Sequence, residues 1–191
     1  HVLVSLTTVD MLICQTDFSF NNISVKDGLS ESTVKVILEG YSGFIYFGTE
    51  NGLDVYDGYN FTNYHMNAFD SSTILGNKVS YLFEDSKKMI WIGTELGVSK
   101  FDPFSKEFFR PIKNIEDYKI SSPEPNIIAE DGEGNLWFNL LKDSVLLKLD
   151  SNGNNIICMN CSNGDPLYPR KINQILTDQM KTIWFGTEKG I

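Results

Sequence analysis

Histidine is nearly absent from this 191-residue chain, which has two, His1 and His65. Cysteine is almost as scarce, with Cys14, Cys158 and Cys161. So small a stock excludes a disulfide-framed scaffold. The lone Cys158-Met159-Asn160-Cys161 has neither a second pair nor neighbouring histidines to complete a zinc site. It reads as a local disulfide or as two incidental thiols at the end of a strand. Basic residues are short as well: 16 Lys and Arg stand against 25 Asp and Glu, for a formal charge of −9. That balance argues against a nucleic-acid partner, which needs a clustered basic face. It argues equally against an anionic membrane surface. No apolar run approaches the roughly 20 residues of a bilayer span, so any membrane link would lie in segments beyond this chain. No Gly-rich loop leads from a strand into a helix to cradle a phosphate, and no segment carries a convincing helical period. Neither a cofactor nor a metal is expected.

What the chain does have is 41% hydrophobic residues, 13% aromatics and one phrase repeated. Phe44-Ile45-Tyr46-Phe47-Gly48-Thr49-Glu50-Asn51-Gly52-Leu53 returns as Met89-Ile90-Trp91-Ile92-Gly93-Thr94-Glu95-Leu96-Gly97-Val98. It returns again in altered form as Asn135-Leu136-Trp137-Phe138-Asn139-Leu140, and finally as Thr182-Ile183-Trp184-Phe185-Gly186-Thr187-Glu188-Lys189-Gly190-Ile191. The anchors Tyr46, Trp91, Trp137 and Trp184 are spaced by 45, 46 and 47 residues. A repeat of that length made only of short strand signals and tight turns predicts propeller blades.

Each unit has four strand-sized pieces, separated by Asn-Gly, Asp-Gly or similar turn pairs that supply positive φ. Blade one spans 29–64, blade two 75–110 and blade three 124–159, with an incomplete blade four at 171–191. The whole predicts an all-β partial β-propeller over 16–191, about three and a half four-stranded blades in an open arc. Phe18–Val25 alternates apolar residues and predicts a leading strand, which in a closed ring would complete the last blade. The second strand of each unit is apolar on both alternating sets, as a sheet sandwiched between neighbours requires. Trp, Phe and the small Gly48, Gly93 and Gly186 are therefore read as packing anchors. Residues 1–15 read as the remnant of a secretory signal whose basic start is missing, or as an ordinary buried strand. Bulky Ile13 argues against a lipoprotein signal ending at Cys14. A cut arc is expected to expose apolar blade faces and to aggregate or domain-swap when expressed alone.

With these residues in view, the repeat resembles that of two-component regulator propellers. The matching text is Gly28-Leu29-Ser30, then Val34 and Ile37, Gly43–Thr49, Gly52-Leu53, Tyr56-Asp57-Gly58 and Phe61. The resemblance implies a fragment of a seven-bladed propeller in the periplasmic sensor region of a Bacteroidetes hybrid histidine kinase, an inner-membrane protein. It further implies an oligosaccharide ligand, a sensor dimer or contact with further blades, and no catalysis by this region. The chain departs from the pattern at Gly40, where later repeats have Asp85, Asp131 and Asp178. It departs again at Lys88, which replaces a turn glycine, and at Asn139-Leu140, which replaces Gly-Thr. Trp137 to Asp150 spans 13 residues against 11 from Trp91 to Asp102, so blade three is expected to present a distinct loop.

In a propeller the turns between strands two and three share one face with the connections between blades. On that face the candidate ligand residues are Glu50, Asn51, Glu95, Tyr118, Lys142, Tyr168, Arg170 and Lys171. Rings and planar polar groups on a loop-built face suit a carbohydrate. Glu50, Glu95 and Glu188 recur because the turn recurs, which is a simpler account than a glycosidase carboxylate pair. Asp131, Gly134 and Asn135-Leu136-Trp137-Phe138 also look like repeats of streptogramin lyases, which need a basic side chain over the central opening. An enzyme of that type, a glycosidase, or a protein-docking propeller is the alternative reading.

Overall fold

The computed structural model describes residues 21–112, 123–140, 145–159 and 171–190. Three four-stranded antiparallel sheets and one two-stranded sheet follow one another along the chain. Blade one comprises β1 (Val34–Glu39), β2 (Ile45–Thr49), β3 (Gly52–Tyr56) and β4 (Phe61–Tyr64). Blade two comprises β5 (Val79–Glu84), β6 (Ile90–Thr94), β7 (Gly97–Asp102) and β8 (Glu107–Phe109). Blade three is built from β9 (Pro125–Glu130), β10 (Leu136–Leu140), β11 (Val145–Leu149) and β12 (Ile156–Cys158), and blade four from β13 (Ile172–Thr177) and β14 (Ile183–Thr187). Within every sheet the order is sequential, so each blade is a meander. The fold is an open arc of propeller blades.

The cores lie between sheets. Tyr46, Leu53, Val79, Ile90, Ile92 and Phe101 fill the space between blades one and two. Trp91, Ile128, Phe138 and Leu149 fill the next space, and Trp137, Leu146, Ile172 and Phe185 the third. Burial along the second strands follows from this. Every residue of β6 and β10 is buried, because their sheets have neighbours on both sides. In β14 none is, and Trp184 is 48% exposed and Leu176 58%. The two-sided apolar pattern thus reports a sandwiched sheet.

Glycine decides how closely the blades approach. A Cβ on Gly48 would lie 2.5 Å from a methyl of Val79 on β5, and one on Gly93 would lie 2.6 Å from the Pro125 ring on β9. Gly186 meets nothing nearer than 3.7 Å, and what it meets is its own sheet. Asn139 takes the glycine's place in blade three and makes a different joint. Its buried amide donates to the Ile172 carbonyl of blade four at 3.0 Å.

The expected leading strand is not formed over its described part. Residues 21–24 are irregular and Val25–Asp27 is a 3-10 turn, capped by Ser24, whose hydroxyl accepts from the Lys26 amide while Asp27 accepts from the Ser24 amide. The Ser24/Asp27 box and Gly28 at φ 116 favour the turn over an extended chain. Residues 18–20, like 1–15, lie outside the described residues.

Candidate functional site

The Gly-Thr-Glu phrase is first a turn device. Thr49 Oγ1 donates to the Gly52 carbonyl at 3.1 Å and accepts from the Asn51 amide at 3.0 Å. Thr94 and Thr187 repeat the clamp on Gly97 and Gly190. Those glycines sit at φ 115, 128 and 118, which a side chain would resist. The glutamates beside them have separate partners. Glu50 pairs with Lys35 at 3.1 Å. Glu95 turns back to accept from the Lys78 amide at 2.9 Å and packs against Gly76. Asn51 reaches toward the Ser30 carbonyl at 3.5 Å, and its own carbonyl accepts from His65 Nδ1 at 2.6 Å. Lys171 is exposed, and its carbonyl accepts from the Glu188 amide at 3.3 Å. These four share one face, as the turn topology requires, but are spread over blades one, two and four and line none of the clefts described below. Tyr118, Lys142, Tyr168 and Arg170 lie outside the described residues.

Two clefts open on the opposite face, where the turns between strands one and two meet those between strands three and four. A cleft of about 350 Å³ between blades one and two is lined by Tyr41, Phe44, Glu84, Lys88, Met89 and Phe104, among others. Tyr41 is 80% exposed, and the Lys88 ammonium lies 4.2 Å from its ring centre. Glu84 joins the blades here, accepting from the Tyr41 amide at 2.7 Å. A second cleft, of about 310 Å³, lies between blades two and three and carries Lys87, Trp91, Lys100, Phe109, Arg110 and the 150–153 turn. Glu130 repeats the Glu84 joint, accepting from the Ser86 amide at 2.8 Å and hydroxyl at 2.6 Å.

An aspartate underlies each tryptophan on this face. Trp91, Trp137 and Trp184 donate from Nε1 to Asp85, Asp131 and Asp178 at 2.7, 2.9 and 2.9 Å. Burial by itself would push the Asp131 carboxyl up, but donors from Asn135, Trp137 and Glu133 outweigh it and hold the group below the ordinary carboxylate range. Blade one lacks the pair for a steric reason. A Cβ at Gly40 would lie 2.7 Å from the Tyr46 ring, which has no N–H to offer an acid. Cys158 is held in a disulfide.

Sequence reasoning placed its candidates on one face and overlooked the other. The signal is present in the cations and aromatics of Tyr41, Lys87, Lys88 and Phe104, all in turns that read as hairpin punctuation, and in Phe109 at the end of the fourth strand of blade two.

Comparison with known proteins gives the same architecture. Residues 73–95 match the two component regulator propeller family. Over 73 residues the chain is 33% identical to histidine kinase P4 of Formosa agariphila, covering 38% of this chain and 5% of that protein. The extracellular domain of BT4673 from B. thetaiotaomicron, assigned to a one component system, superposes with a TM-score of 0.66 at 25% identity, over 86% of this chain and 22% of that one. A streptogramin B lyase superposes with a TM-score of 0.60 at 18% identity, over 83% of this chain and 49% of that one, a likeness of fold alone. The chain therefore spans a small part of the sensor proteins it matches. Residues 73–95, from the loop before blade two through its second strand, match the two-component regulator propeller repeat, and they lie within an open arc of four-stranded blades.

Proposed function

We propose that this chain is part of the ligand-sensing, extracytoplasmic propeller of a hybrid two-component sensor, and that its ligand is a glycan-derived oligosaccharide. The observation that carries the reading is the propeller repeat at 73–95 within a blade arc whose relatives include a histidine kinase and a bacterial extracellular sensor domain. The disulfide at Cys158 fits an oxidising compartment such as the periplasm. Exposed aromatic rings beside charged groups at the mouths of two clefts suit a sugar, whose CH faces stack while its hydroxyls find polar partners. The region itself binds and does not catalyse. Ligand bound outside would favour one arrangement of a sensor dimer, and that preference would reach the kinase as a population shift.

The test is made on the full-length parent protein in membrane vesicles, with labelled ATP and a panel of oligosaccharides. The reading predicts that at least one saccharide changes the level of phosphorylated protein severalfold. Phosphorylation that ignores every saccharide, or a parent that carries no kinase, contradicts it.

A further inference from the structure

The cleft between blades two and three is lined by three cations, Lys87, Lys100 and Arg110, against two carboxylates, Asp85 and Asp150, with Asp102 and Asp70 within electrostatic reach of Lys100 and Arg110. Lys100 is one of these cations. In the sheet register it is paired with Trp91 on one side and Phe109 on the other, so the three side chains share one face of blade two. Its ammonium lies 5.9 Å from the Trp91 ring centre and 5.0 Å from that of Phe109. The equivalent lysine of blade three, Lys148, behaves differently and reaches the Trp-binding aspartate of its own blade, Asp131, at 3.7 Å. Lys100 makes no such pair with Asp85 among the described residues. The Asp85 carboxylate is instead saturated by the Trp91 indole and by the amides of Lys87 and Met89.

Two further cations border the same space. Lys87 crosses it to donate to the Ser151 carbonyl at 2.6 Å and has no carboxylate partner among the described residues. Arg110 lines it, and its buried Nε–H has no acceptor among the described residues. The second carboxylate of the cleft, Asp150, is occupied by the Asn154 amide and the Asn155 side chain. Phe109 is 41% exposed and offers a ring at the rim.

We infer that this cleft binds an acidic saccharide, its carboxylate or sulfate held by Lys100, Arg110 and Lys87 and its pyranose ring stacked on Phe109. Cations in a recess bounded by protein meet an anion with less solvent screening than surface lysines do. Arginine adds a planar fork suited to a carboxylate or sulfate. The flanking rings keep the Lys100 amine in place without consuming its charge. This assignment rests on the sensing reading above and narrows it to a charge class and a place.

The test titrates the full chain with a galacturonate tetrasaccharide, a sulfated tetrasaccharide, a neutral tetrasaccharide and inorganic sulfate, by calorimetry and tryptophan fluorescence. At least one acidic saccharide should bind about tenfold or more tightly than the neutral one, with affinity falling as salt is raised. Lys100→Gln should weaken it by about tenfold and the double variant with Arg110→Gln further, with urea midpoints unchanged. Lys26→Gln, outside both clefts, should leave it as it was. Equal binding of neutral and acidic saccharides, no binding of either acid, or wild-type affinity in Lys100→Gln overturns the site. Inorganic sulfate binding as tightly as the saccharide overturns the sugar assignment. Neutral saccharides that bind regardless of Lys100 would remove this site and leave the sensing reading standing, whereas an unresponsive full-length kinase removes the sensing reading.

Discussion

The indole nitrogen of Trp91 donates a 2.7 Å hydrogen bond to Oδ2 of Asp85, six residues before it, across the hairpin that joins β5 to β6. Oδ1 of the same carboxylate accepts from the amides of Lys87 and Met89, so one side chain both shapes the turn and fixes the ring that packs on blade three. Asp85→Ala leaves three donors without their acceptor and should cost roughly 2–3 kcal/mol in urea unfolding. Trp91→Phe removes the indole N–H along with some packing. A cycle of the two should show coupling of about 1 kcal/mol, and strict additivity would mean the bond adds no stability.

The same pair in blade three gives a pH dependence. The Asp131 carboxyl is depressed in the folded protein, so its contribution to stability is complete above the unfolded value of roughly 3.9 and is lost as pH falls through the lower folded value. Urea midpoints of the wild type and Asp131→Ala, measured at pH 7, 5 and 3, should differ most at pH 7 and converge toward pH 3. A gap that widens on acidification would show that the sign is wrong.

Two lysines occupy turn positions that the repeat elsewhere gives to glycine. Lys88 sits at φ 67 and Lys181 at φ 61, where Gly43 and Gly134 have φ 81 and 80. The left-handed conformation costs a side-chain-bearing residue about 1 kcal/mol. Lys181→Gly should therefore stabilise by up to about that amount. Lys88→Gly should gain less, because it loses the Tyr41 ring contact and a 3.7 Å pair between the half-exposed Lys88 and the largely covered Glu84. Thermal melts of the two variants check the order.

Much of this architecture can be read in the residues themselves. The Trp-Ile-Gly-Thr phrase announces a strand covered on both sides, and its period announces blades. The joints were harder to foresee. Gly40 looks like a lost acid until Tyr46 is seen lying where that acid's Cβ would be. Asn139 looks like a degenerate glycine until its amide is found on the Ile172 carbonyl of the next blade. The threonine that follows Gly48, Gly93 and Gly186 ties the turn through its hydroxyl. In each case the partner lies across a turn or on another sheet, and local pattern says nothing of it. The clefts escaped notice for the same reason. Trp91, Lys100 and Phe109 stand on three successive strands, and it is the strand register that brings them together.

A single comparison bears most directly on the claim that these sheets stack as consecutive blades. Gly93→Ala drives a methyl group to 2.6 Å from the Pro125 ring of the next blade, whereas Gly186→Ala places one where nothing lies closer than 3.7 Å. Urea unfolding at submicromolar protein concentration should show Gly93→Ala destabilised by about 1–3 kcal/mol. Gly186→Ala should be neutral, or more stable by up to about 1 kcal/mol. Equal effects at the two positions would mean that blade three does not close on Gly93, and the arc as described would be contradicted.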